Sequence, residues 1–208
     1  LGHAALSVLE GLDRGGTGYV YEGPVVSGAT IGVWKHRALS DDAMEEVRRW
    51  RRQRWHEPLR YRSGLGTVAQ VEAERDALVA DEGRARAEGM VEEAADLRAL
   101  AERKTRLLHR LMQMPAGEHY PLEVVLMEIG DLVWLVVQGE SYSLLQSALR
   151  RRHADRSVVV ASVAGDWGAS YLPTEEVYGT GIYQETIAVV EAGSLERLIG
   201  AVTDHLRS

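Results

Sequence analysis

Cysteine is absent from all 208 residues, so neither a disulfide nor a thiolate metal site can form. Lysine occurs only at Lys35 and Lys104, against 22 arginines, a bias that reflects genome composition more than function. No stretch reaches the roughly 18 uninterrupted apolar residues that span a bilayer, so no transmembrane segment is expected. A basic start followed by an apolar run is also missing, and with it any signal peptide. Leu1 in place of Met points to further sequence upstream. Positive charge is short: the net charge of -7 argues against a nucleic-acid or membrane-surface partner, both of which favour basic faces. No Gly-x-Ser-x-Gly elbow, internal repeat or low-complexity segment occurs, so a serine hydrolase of the elbow type is not supported. These absences leave the compartment open between cytoplasmic and secreted, and they leave a homo-oligomer equally open.

What is present is enough to bury a core, and its pattern changes along the chain. Apolar residues at helical spacing predict a helix over Leu1–Asp13, closed by a turn with Gly15, Gly16 and Gly18. Tyr19–Ala38, rich in Val, Ile and Tyr and broken by Gly23-Pro24 and Gly28, reads as extended. Ser40 before Asp41 and Asp42 is a helix start, with acids at the positive end of the dipole. That helix is expected to run through Met44, Val47 and Trp50 and to stop before Pro58. Leu65–Glu88 and Met90–Met114 read as a helical hairpin turning near Gly89.

From Pro121 short strands alternate with helices. Leu122–Ile129 and Leu132–Val137 flank Gly130-Asp131 as a β-hairpin. A helix over Ser141–Arg152, a strand over Ser157–Val163, a loop over Gly165–Gly181, a strand near Glu185–Val190 and a final helix over Ser194–Leu206 complete the chain. The fold class expected is α/β, with α+β as the variant: a mixed sheet with packed helices and the hairpin as an insertion, all in one domain over residues 1–208.

Two places stand out for chemistry. Glu140 follows a buried-looking strand, and Gly139 before it permits a sharp turn. The same carboxylate at the start of a helix also answers to the free amides there, which needs no function. The loop from Ala164 to Tyr183 carries Tyr171, Tyr178 and Tyr183, phenols able to donate hydrogen bonds or, once ionised, to bind a metal. They serve equally as apolar bodies with a wet hydroxyl.

Taken together, Gln138-Gly139-Glu140, a helix, an apolar strand, Gly165-Asp166-Trp167-Gly168, Tyr171-Leu172-Pro173-Thr174 and Gly181-Ile182-Tyr183 form a run. It resembles the neutral/alkaline non-lysosomal ceramidase family over the C-terminal half of the catalytic domain. The resemblance implies that Glu140 and Tyr171 are zinc ligands and that Tyr183, twelve residues after Tyr171, helps hold the scissile amide. It also implies that two histidine ligands come from an N-terminal half, either a missing segment or a separate chain. Three departures from the family pattern occur: Gln138 replaces a proline, Gln184 a glutamate and Asp166 an asparagine.

The seven histidines, His3, His36, His56, His109, His119, His153 and His205, fall in no matching motif and at no paired-ligand spacing. Catalytic zinc generally needs three protein ligands and an open position, so Glu140 and Tyr171 supply only part of a site. The five arginines between Arg48 and Arg54 read as a solvated helix face rather than a phosphate site. The function expected is zinc-dependent hydrolysis of an amide bond in a small-molecule or lipid substrate such as an N-acylsphingosine. The alternative is a non-catalytic binding or assembly module, with the hairpin over Leu65–Met114 as its partner surface.

Overall fold

A computed structural model describes residues 2–12, 15–24, 32–164 and 168–207. In order, the elements are α1 (Gly2–Gly11), β1 (Thr17–Pro24), β2 (Gly32–Ala38), α2 (Asp41–Arg48), β3 (Trp50–Arg60), α3 (Val68–Ala87) and α4 (Val91–Gln113). There follow β4 (His119–Ile129), β5 (Leu132–Val137), β6 (Glu140–Ser141), α5 (Leu144–Arg152), β7 (Ser157–Ala161), β8 (Tyr171–Leu172), α6 (Tyr183–Ile187) and α7 (Ser194–Arg207). The fold is thus α/β with mixed strand pairing and packed helices. Gly28, the Gly165–Trp167 start of the long loop, and with it Asp166, lie outside the described residues. Among the described residues no helix is long and apolar enough to cross a membrane.

The chain divides into two compact units, Leu1–Arg51 with Glu128–Leu132, and Arg52–Met127 with Val133–Ser208. The first holds α1, the antiparallel pair β1–β2 and α2. In the pair, Tyr19 lies opposite His36 and Tyr21 opposite Trp34, with ring centroids 4.1 and 5.3 Å apart. Helix α2 starts as expected, the Ser40 hydroxyl accepting from the Ala43 amide at 3.2 Å.

It does not continue as expected. The chain leaves the helix at Arg49, which is extended, and Trp50–Arg60 forms a strand where the sequence predicted more helix. β3 is the edge of a four-stranded sheet ordered β3-β4-β5-β7, which is where a strand tolerates Pro58 without losing a ladder bond. Three of the five clustered arginines, Arg51, Arg52 and Arg54, therefore lie on a strand, while Arg48 and Arg49 end α2: Arg51 pairs with Glu128 at 3.5 Å and Arg54 with Glu123 at 2.7 Å. Helical spacing of Met44, Val47 and Trp50 suggested the longer helix, whereas the strand's inward positions include the polar Gln53 and Glu57 and carry no apolar alternation.

In the second unit the sheet's inner face buries Leu59, Leu122, Val124, Leu126, Val133, Leu135, Val137 and Val158. α5 and α7 contribute Leu145 and Leu149, and Leu195, Leu198, Ile199 and Val202, to the same core. The hairpin α3–α4 forms where the sequence placed it. Its start is set by a capping box: Thr67 and Gln70 bond reciprocally at 3.2 and 2.9 Å. Gly89, at φ +77°, makes the turn between the helices. Val71, Leu78 and Ala85 on one helix and Ala94, Ala101 and Leu108 on the other recur every seven residues, the spacing of a packed helical seam. Across it, Lys104 pairs with Glu74, and Arg98 with Glu82 at 3.0 Å.

Two boundaries nearer the C-terminus also differ. The helix expected from Ser141 begins at Leu144, because Glu140 and Ser141 are taken up in a strand pairing. The strand expected near Glu185–Val190 is helical from Tyr183 to Ile187, closed by amide bonds from Thr186 to Ile182 and from Ala188 to Gln184. Its β-branched Thr186 and Ile187 had suggested extension. The Thr186 hydroxyl instead bonds the Tyr183 carbonyl, within the helical turn, at 2.8 Å.

Candidate functional site

Glu140 and Tyr171, 31 residues apart in sequence, stand side by side. β6 and β8 are two-residue strands paired in parallel, with Glu140 level with Tyr171 and Ser141 level with Leu172. Main-chain bonds hold the pair: the Glu140 amide donates to the Ser170 carbonyl at 2.7 Å and the Tyr142 amide to the Leu172 carbonyl at 3.1 Å. On the other side, Val163 donates to Gly139 at 2.8 Å and Ala164 to Val137 at 3.1 Å. Glu140 is thereby tied into the edge left by the end of β5, and it does not serve as a helix cap.

The approach to each strand uses backbone that only certain residues accept. Gly139 has φ +77° as the chain turns out of β5. Before β8, Gly168 sits at φ +57°, and a Cβ there would lie 2.7 Å from the Gln138 Cβ and 3.0 Å from the Tyr120 hydroxyl. Ser170, fully buried and at φ +69°, is held by its hydroxyl donating to the Ile187 carbonyl at 3.2 Å. Gln138, the departure from proline, has a use of its own: its side-chain carbonyl accepts from the Glu123 amide at 3.1 Å.

The side chains meet as well as the backbones. The Tyr171 hydroxyl bonds to the Glu140 carboxylate, and its pKa is raised by desolvation first and then by the neighbouring carboxylate. The phenol is therefore neutral and the donor in this pair. Tyr183, exposed at the first residue of α6, sets its ring edge-on to that of Tyr171, with centroids 5.9 Å apart and an interplanar angle of 74°. The turn before Tyr183 is fixed by Glu185, whose carboxylate accepts from the Gly179 and Gly181 amides at 2.8 and 2.7 Å. Those bonds hold its pKa below the ordinary range.

Tyr178 is not part of this cluster of functional groups. Its hydroxyl donates to the Val190 carbonyl at 2.8 Å, and burial pushes its pKa up to about 12. It is a structural phenol, the amphipathic filler of the sequence reading.

Two neighbours carried no signal in the motif run. Tyr142 lies within electrostatic reach of Tyr171, as expected of a residue two positions after Glu140. It also lines a cavity of about 330 Å³ with Ser141, Ser143, Arg150 and Ser162. Arg110, in the last turn of α4, lies within electrostatic reach of Tyr183. Nothing about a single arginine in a long helix marks it in the sequence.

Glu140 and Tyr171 set two oxygen atoms side by side: a carboxylate oxygen is a usual zinc donor, whereas a phenol oxygen becomes one only when ionised. Among the described residues, no group of three or more His, Asp or Glu could hold a metal. The histidines of the second unit are engaged or apart. His205 stacks on Trp55 with centroids 3.8 Å apart and bonds Gln53 at 2.9 Å. His153 is buried at the end of α5, its pKa lowered by burial first and then by Arg207. His56, His109 and His119 are exposed.

Comparison with known proteins adds little. No protein-family model and no curated protein matches this sequence. Among solved structures, one described as "Ceramidase complexed with C2" is similar at a TM-score of 0.36 and 21% identity, over 47% of this chain and 19% of that one.

Proposed function

We propose that this chain supplies part of the site of a zinc-dependent amide hydrolase, with Glu140 and Tyr171 as two zinc ligands and Tyr183 as the residue that binds the scissile amide. The observation that carries the reading is the parallel pairing of β6 with β8, which sets Glu140 level with Tyr171 while their side chains bond to each other. Two further ligands, histidines from a segment or chain outside these residues, complete the site in this reading. When bound, zinc supplies Lewis acidity toward a water and an amide carbonyl.

The chain's own residues have distinct tasks. Glu140 offers a carboxylate oxygen from the end of the β5–β6 turn. Tyr171 would have to give up its proton to solvent to ligate, and the raised pKa of the phenol is what a bound cation would have to overcome. The ring of Tyr183 packs edge-on to Tyr171, and its hydroxyl donates to the amide oxygen as negative charge develops there. The substrate is an amide of a small molecule or lipid.

The test is zinc affinity and amide hydrolysis of the full gene product, with Glu140→Gln and Tyr171→Phe alongside. One zinc per chain is expected, bound at least about tenfold more weakly in each variant, with hydrolysis of an N-acyl amide lost. Zinc bound equally well by both variants overturns the ligand assignment. No zinc and no hydrolysis in the wild type leaves the non-catalytic binding module as the better reading.

A further inference from the structure

A second place for a ligand lies beside the Glu140–Tyr171 pair, in the cavity of about 330 Å³ against α5. Its lining begins at Ser141, one residue on from Glu140, and takes in Ser143, Gln146, Arg150 and Ser162, but neither Glu140 nor Tyr171.

Gln146 and Arg150 are four residues apart on α5, so they stand one above the other on the same face. That face meets β7, an edge strand whose free main-chain groups need partners. Arg150 Nε donates to the Val158 carbonyl at 3.0 Å, and the Val160 amide donates to the Gln146 side-chain carbonyl at 3.2 Å. Each side chain thus uses one arm on the strand, which fixes its position. The arms left over are all donors: the two terminal nitrogens of Arg150 and the side-chain amino group of Gln146. Arg150 makes no ion pair with any described residue.

The rest of the wall adds to that excess. The Ser147 hydroxyl is occupied by the Leu144 carbonyl at 3.3 Å, whereas those of Ser141, Ser143 and Ser162 have no partner among the described residues. Ser162 is set in place by the residue after it: the Val163 amide donates to the Gly139 carbonyl at 2.8 Å, at a φ of +56° that a β-branched residue rarely adopts. Among the described residues no carboxylate lines the cavity. A cation entering it meets the Arg150 charge, and a neutral polyol leaves that charge unmatched. An oxyanion satisfies both the charge and the donors, because the planar guanidinium holds two oxygens of a carboxylate or phosphate at once.

We infer that this cavity is a binding site for an oxyanion, the carboxylate or phosphate group of a small molecule, held by the terminal nitrogens of Arg150 with the serine hydroxyls donating to its remaining oxygens. The site goes beyond the amidase reading and does not depend on whether Glu140 and Tyr171 hold zinc.

The full gene product, freed of metal, is titrated with inorganic phosphate, acetate and neutral glucose at an ionic strength held constant with NaCl, so that screening does not change. The amide resonances of Ser141, Ser143 and Ser162 are followed. At least one of the two anions is expected to shift them saturably and glucose to leave them in place; the tighter anion tells phosphate from carboxylate. Arg150→Gln is expected to weaken that anion at least about tenfold. Arg151→Gln, which removes an exposed arginine outside the cavity, is expected to change it by less than about twofold. Arg150→Lys keeps the charge without the fork, falls between the two, and serves as the readout if Arg150→Gln does not fold. No saturable shift with either anion, equal binding by the wild type and Arg150→Gln, an equal loss in Arg151→Gln, or a response to glucose as strong as to the anions overturns the inference. Zinc takes no part in the titration, so this result and the zinc measurement on Glu140 and Tyr171 fail separately.

Discussion

Helices α1 and α7 make the same kind of promise and meet different ends. Leu6 and Leu9 on α1, with Leu12 just after its end, recur at helical spacing, as do Leu195, Leu198, Ile199 and Val202 on α7. The α7 set is buried against the sheet and α5, whereas the three leucines of the α1 stretch stay at 56–63% exposure. The contrast holds for the whole of each unit: no described residue of the first is buried, and the second holds the entire core cluster. A helical pattern is thus enough to write a helix, but burial requires an opposing surface that the pattern does not supply.

The sharpest break in that comparison is a pair of truncations. Leu135→Ala, in the centre of the buried sheet, is expected to cost about 2–5 kcal/mol in urea unfolding. Leu9→Ala is expected to stay within about 0.5 kcal/mol. Equal losses at the two positions would mean that α1 is as buried as the core. A smaller effect, still within the second unit, comes from Tyr178→Phe. Removing the hydroxyl strands the buried Val190 carbonyl and is expected to cost about 1–3 kcal/mol.

Tyr178 also gives the comparison a pH axis. Its hydroxyl is pushed up to about 12 in the fold, against about 10 in an unfolded chain. Below pH 10 both states hold the proton and its contribution is complete. Between 10 and 12 the unfolded chain ionises first, and stability drains away as pH rises. Tyr178→Phe should therefore show a shallower alkaline decline than the wild type, and parallel declines would mean the phenol is not held neutral. A further small effect belongs to the first unit: Ser40→Ala removes the cap on the Ala43 amide and costs about 1 kcal/mol. Hydrogen exchange should show it in α2 while α7 is unchanged.

The same contrast explains what the sequence revealed. α3, α4, α7 and the β4–β5 hairpin were legible because each carries a long periodic face or a two-residue turn at Gly130-Asp131. β3 was not, because its inward face mixes Gln53 and Glu57 with Trp55 and Leu59, and its arginines suggested a helix surface. At the candidate site, Glu140, Tyr171 and Tyr183 were marked by the motif run, but the pairing that joins the first two was hidden. A ladder of two residues per strand is too short to leave any alternation.

The β6–β8 ladder has one more consequence. It is secured by main-chain atoms and by Gly139, Gly168 and Ser170, none of which depends on what positions 140 and 171 display. The two positions behave as a pair of sockets. A lineage can exchange the side chains plugged into them, and so trade one chemistry for another or none at all, while the scaffold continues to deliver whatever it is given shoulder to shoulder.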